Sequence, residues 1–149
     1  MKTVLAILLI LAAPLAAHAA EDLAGVWKLD RVEGGSGIPI EIDMNVAREG
    51  DNVSVEQDIR REGEDPQQVA YTYVTDGEAH EIPATGGETR EVTAEWRGKQ
   101  LKVLFNVERS GMTFAVTESW RLRKGELEVK YVTPLGDRNL VIKQFFKRP

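Results

Sequence analysis

Leu23-Ala24-Gly25-Val26-Trp27-Lys28-Leu29-Asp30 is a short alternating segment with a glycine two residues ahead of a tryptophan. A glycine inside a strand lets other groups approach the backbone closely. Trp27 brings one large side chain to the floor of a core. Together they mark the first strand of a small closed β-barrel, with the remaining chain curling round to meet it.

Outward from that strand, turn signals recur at an even pitch: 34–37, 50–52, 62–66, Asp76-Gly77, Gly86-Gly87, Gly98-Lys99, Ser110-Gly111, Lys124-Gly125 and 134–137. Glycine, Asp and Asn supply the positive φ that tight hairpins need. The spacing leaves room for one strand between signals, the pattern of an all-β sandwich or barrel. The strands alternate. Val92, Ala94 and Trp96 share a face, as do Leu101, Val103, Phe105 and Val107, then Phe114, Val116, Trp120 and Leu122, then Leu127, Val129 and Tyr131. One wet face and one dry face is what an antiparallel sheet wrapped on its own core produces. The expectation is an antiparallel up-and-down β-barrel of eight to ten strands, with the last strand, Leu140 to Arg148, pairing with the first so that closure removes the exposed edges.

Residues 1–20 carry Lys2, an apolar run from Val4 to Leu15, and Ala17-His18-Ala19. That is the layout of a secretory signal peptide with a small-residue cleavage site. The run is too short to anchor the chain stably across a bilayer, and a periplasmic or secreted protein is expected. The mature chain, 21–149, is then one domain. It has no cysteine, so packing alone must hold it. Of 19 Lys and Arg, removal of Lys2 leaves 18 against 24 Asp and Glu, a net charge of −6. Such acidity argues against nucleic acid and anionic lipid as partners. A monomer is expected.

The Gly25-Val26-Trp27 motif, the hairpin meander and a final strand bearing Lys143, Phe145 and Lys147 resemble the calycin superfamily. That superfamily includes lipocalins, fatty-acid-binding proteins and bacterial lipocalin-like domains, the last being the nearest likeness. The resemblance implies a basic side chain from the last strand, Lys143, Lys147 or Arg148, packed across Trp27, so that Gly25, Trp27 and Lys143 form a structural signature. Two departures stand out. The Arg31–Pro39 stretch is too short for the helical pair of the fatty-acid-binding proteins, and their arginine–tyrosine pair on the last strand is at best echoed by Lys143 and Phe145.

No residue constellation points to catalysis, and none is expected. There is no Gly-x-Ser-x-Gly elbow and no phosphate-cradling glycine loop. His80, the one histidine after residue 20, reads as a solvated loop residue, since a metal site needs three or four ligands. No metal or cofactor is expected. The informative residues are polar ones on apolar faces. Glu118 shares its face with Phe114, Val116, Trp120 and Leu122, where a carboxylate needs a partner or must protonate. Gln57 lies among Val53, Val55 and Ile59. Tyr71 and Tyr73 lie beside Val69. A few convergent polar groups in an apolar pocket suit a bound small molecule. The reading is non-catalytic binding of a small, largely apolar molecule in the barrel. Trp120, Phe105, Tyr73 and Tyr131 would line it, Gln57 would join them and Glu118 would orient it. Two alternatives are weighed beside it. One is that Glu118 pairs with a core arginine or tyrosine. The other is a filled barrel that meets partner proteins through its outer face or loops, where Leu104 and Val132 point outward.

Overall fold

The computed structural model describes residues 23–149; the expected signal peptide and its cleavage site lie outside the described residues. Ten antiparallel strands follow one another: β1 (Gly25–Glu33), β2 (Ile40–Glu49), β3 (Asn52–Arg61), β4 (Gln67–Val74), β5 (Asp76–Pro83), β6 (Thr89–Arg97), β7 (Gln100–Arg109), β8 (Met112–Arg123), β9 (Glu126–Leu135) and β10 (Arg138–Lys147). Among the described residues the one helical segment is a 3-10 turn, Thr85–Gly87. Apolar side chains alternate with mostly polar ones along the strands, so a single curled sheet buries one side.

The spatial order is β4-β3-β2-β1-β10-β9-β8-β7-β6-β5. First and last strands do pair, with Lys28 opposite Lys147 and Glu33 opposite Lys143. Closure is nonetheless incomplete. β4 and β5 end the order and share no ladder, so two edges remain at that seam. The cause is local. The Thr75 N–H and hydroxyl both donate to the Asp51 carbonyl at 2.9 Å, which ties the reversal back to the β2–β3 turn. β5 then opens with a register shift between Asp76 and Ala79. The expected Asp76-Gly77 hairpin turn is thus the bulged start of a strand, and the bulge bends it away from β4.

One end of the barrel is shut. Trp27 is fully buried there, and its indole N–H donates to the Leu23 carbonyl at 2.9 Å. Met44, Val55, Leu101, Val103, Leu127, Val129, Trp120 and Phe146 fill the space above it. Arg148 crosses the Trp27 ring at 4.2 Å and donates to the Ala24 carbonyl. Of the three basic residues considered, Arg148 therefore takes the place over Trp27. Lys143 cannot, because it is paired laterally with Glu33 and Lys130 further up β10. Gly25 has φ +123°, and a Cβ there would meet the Arg148 guanidinium. Glycine is required on both counts.

The other end, the mouth, is ringed by the β1–β2, β3–β4, β5–β6, β7–β8 and β9–β10 connections. Gly34 to Pro39 link β1 to β2 without a helix, so among the described residues no helical lid covers the mouth. The β7–β8 hairpin is laddered to itself from Leu101–Trp120 out to Arg109–Met112. Its flanking ladders stop earlier: β6–β7 at Val92–Phe105 and β8–β9 at Thr117–Val132. The hairpin tip therefore stands clear of the wall on both sides.

Candidate functional site

Period-two alternation on β8 carries Glu118 inward between Val116 and Trp120. It is 3 % exposed. The carboxylate lies at mid-barrel, opposite Val103 on β7 and Tyr131 on β9. The Tyr73 hydroxyl donates to its two oxygens at 3.2 and 3.3 Å, and the Trp120 indole N–H donates to Oε1. Removal from water pushes the Glu118 carboxyl up to about 7, against the pull of the Trp120 and Tyr73 hydrogen bonds and of Arg90. Burial also holds the hydroxyls of Tyr71, Tyr73 and Tyr131 above their ordinary range, with the Glu118 charge adding to it. All three are neutral hydroxyls near neutral pH.

Above this floor lies a cavity of about 190 Å³. Gln57, Tyr71, Tyr73, Arg90, Glu118 and Tyr131 supply its polar wall, and Ile59, Val69, Ile82, Pro83 and Ala84 its apolar wall. The aromatic rings form a chain across it. Tyr71 and Tyr73 have centroids 5.0 Å apart, and Tyr73 meets Trp120 edge-on at 6.3 Å. The Gln57 amide donates to Met44 Sδ at 3.3 Å and Tyr71 Oη at 3.5 Å. Arg90 lies over the Phe105 ring at 4.4 Å. Both residues also line a second, larger cleft of about 770 Å³, opened where β6 and β7 part.

Four of the residues singled out in the sequence, Glu118, Tyr73, Tyr131 and Gln57, meet around one cavity. Trp120 lies beneath it as a hydrogen-bond donor to Glu118. Phe105 does not line the cavity. It stands outside it under Arg90, because β7 leaves β6 at that residue. Of the two roles weighed for Glu118, pairing with a core tyrosine is observed, and it coexists with a place on the cavity wall. Sequence reading missed Arg90. Its signal was parity: it stands two residues before Val92 on the inner face of β6. Tyr71, on the inner face of β4 two residues before Tyr73, joins the cavity wall as well. His80 lies on β5 rather than in a loop, its Nε2 2.9 and 3.0 Å from the Asp76 oxygens. Among the described residues no group of His, Cys, Asp and Glu is placed to hold a metal ion.

The arrangement can hold a small molecule by its polar end against an apolar and aromatic wall. No family model and no curated protein matches the sequence. Solved structures match the fold. The zebrafish ileal bile acid-binding protein, complexed with cholic acid, superposes with a TM-score of 0.64 at 14% identity, over 86% of this chain and 99% of that one. Echinococcus granulosus fatty-acid-binding protein 1 gives 0.62 at 12% identity, over 86% and 98%. The fluorescent protein UnaG gives 0.63 at 16% identity, over 87% and 99%. The fold is that of these structures, ten antiparallel strands in a nearly closed barrel.

Proposed function

We propose that this chain is an exported, monomeric, non-catalytic carrier that holds one small, largely apolar molecule in the mouth half of its barrel. The observation that carries the reading is Glu118. A buried carboxylate with two buried donors, Tyr73 and Trp120, costs a fold more than apolar side chains packed at all three positions would. Here it borders a cavity that also gathers three tyrosines, an amide and an arginine. The barrel neighbours named for bile acid and fatty acid binding support the same use of the fold. Export rests on the sequence of residues 1–20, and the intact mass of exported protein tests it: cleavage after Ala19 is expected, and full-length mass outside the cell membrane overturns it.

The test of the carrier reading is calorimetric titration of the full mature chain with neutral single-ring compounds, p-cresol, benzyl alcohol and benzamide, alongside melting curves. Saturable heats are expected, with stabilisation of about 2.7 kcal/mol at a hundredfold excess over Kd. Absence of binding across the panel, with no shift in melting, overturns the reading.

The second reading is a barrel that works as an interaction module through its outside. One observation favours it: the cavity of about 190 Å³ is smaller than the roughly 300 Å³ at which ligand pockets usually begin. The same titration separates the two.

A further inference from the structure

Donors and acceptors around the cavity do not balance. The Glu118 carboxylate is served by Tyr73 and Trp120. Arg90 offers five N–H donors, and its guanidinium rests on the Phe105 ring. Glu88, Glu91 and Glu108 line the cleft beyond it, yet among the described residues no carboxylate forms an ion pair with Arg90. The Tyr131 hydroxyl likewise has no hydrogen-bond partner among the described residues. The wall therefore presents unused donors, one of them cationic. A guest that satisfies them brings acceptors and negative charge.

Size narrows the guest. At about 30 Å³ per water, a cavity of about 190 Å³ has the room of about six waters. That is the room a single ring with its carboxylate needs, between the Tyr73–Glu118 pair and the apolar wall of Ile59, Val69 and Ile82. Tyr71, Tyr73 and Tyr131 on the cavity wall offer aromatic faces and edges to such a ring.

Charge then links the guest to Glu118. The groups that face this carboxylate are Tyr73 and Tyr71 from β4, Tyr131 from β9, Arg90 from β6 and Trp120 on its own strand. Only Arg90 carries positive charge. Two carboxylates in one buried cavity cannot both stay ionised against a single cation.

We propose that the cavity takes the carboxylate of a small single-ring acid on Arg90 and Tyr131, and that its binding carries a proton from solvent onto Glu118. The anion and one proton enter, Glu118 becomes neutral, and the charge of the site is unchanged. This rests on the carrier reading and names the chemistry of its guest.

Titration calorimetry with benzoate and its neutral counterpart benzamide, in two buffers of different ionisation enthalpy, tests it. At about pH 8, where free Glu118 is ionised, benzoate binding should take up about one proton per ligand and benzamide none. Benzoate affinity should fall about tenfold per pH unit above the Glu118 titration. Glu118→Gln should bind benzoate without proton uptake and with a flat profile over that range. Arg90→Met should weaken benzoate about tenfold or more relative to benzamide. Benzoate binding without proton uptake, or equal losses of both ligands in Arg90→Met, overturns the proposal. Benzamide binding without benzoate binding overturns it and leaves the carrier reading standing. Binding of neither overturns both.

Discussion

The Tyr73 hydroxyl stands 3.2 and 3.3 Å from the two carboxylate oxygens of Glu118, a residue 45 positions away. With the Trp120 indole on the other side, this contact divides a packed lower barrel from the cavity above it. Glu118 is thus both the cap of the core and part of the cavity wall, and its variants separate the two roles.

Glu118→Leu removes a desolvated carboxylate but leaves the Tyr73 hydroxyl and the Trp120 N–H buried without an acceptor. Each orphaned donor costs about 1–3 kcal/mol. Denaturant unfolding near neutral pH should therefore show net destabilisation, and adding Tyr73→Phe should recover about 1 kcal/mol of it. A Glu118→Leu protein more stable than the parent would mean that these hydrogen bonds contribute little.

The pH dependence of stability has a definite sign. Glu118 binds its proton more tightly folded than unfolded, since its carboxyl rises from 4.5 to about 7. Stability from this group is full below about pH 4.5 and is lost as pH rises through 7. The slope is about 1.4 kcal/mol per pH unit. Glu118→Gln keeps an acceptor for Trp120 and has no proton to lose. Relative to the parent, it should gain stability between pH 4.5 and 7 by about 3 kcal/mol in all, and no more above. A parallel pair of stability curves would contradict the buried, titrating carboxylate.

At the shut end, Trp27→Ala should destabilise by about 3–5 kcal/mol, as loss of a fully buried large ring does. Arg148→Met should cost only about 0.5–1 kcal/mol, since the cation over the ring is exposed on its other side. Gly25→Ala should cost about 1–3 kcal/mol through its positive φ and the Arg148 guanidinium in its way. Equal small effects from all three would show that Trp27 is not the anchor of the closed end.

Removing 138–149 deletes β10, the strand that joins β1 to β9. The sheet then falls into two pieces, β1–β4 and β5–β9, because β4 and β5 share no ladder to hold them. Loss of cooperative unfolding is expected. An unchanged melting transition would require hydrogen bonds across the seam.

Much of this barrel was legible in the sequence because alternation and turn residues are local. Val92-Ala94-Trp96 and Leu101-Val103-Phe105 named their inner faces without help from the rest of the chain, and Glu118 betrayed itself by interrupting such a face. What could not be read depends on neighbours across the sheet. Glu128 looks like any outer-face charge, yet it is 2 % exposed. It lies beside Phe145 on β10 and is held by Arg121 at 2.8 and 3.0 Å. Phe145 and Phe146 are both buried, against the alternation, because Arg31 covers Phe145 from outside at 3.8 Å. The seam between β4 and β5 leaves no mark in composition, since a missing ladder changes no residue. The separation of β7 from β6 after Phe105 is of the same kind. It moved Phe105 out of the cavity and put Arg90 in its wall.

A small guest held above the Tyr73–Glu118–Trp120 floor changes the surroundings of the Trp120 indole first. The chain has three tryptophans, and their indole N–H groups differ: Trp120 donates to Glu118, Trp27 to the Leu23 carbonyl, and Trp96 to no protein group among the described residues. Their three indole resonances in a nitrogen–proton correlation spectrum, followed as benzamide is titrated into the protein, read the floor directly. A saturating shift of the Trp120 indole is expected while that of Trp27 stays in place. A Trp120 resonance that does not move when the ligand is bound would contradict it.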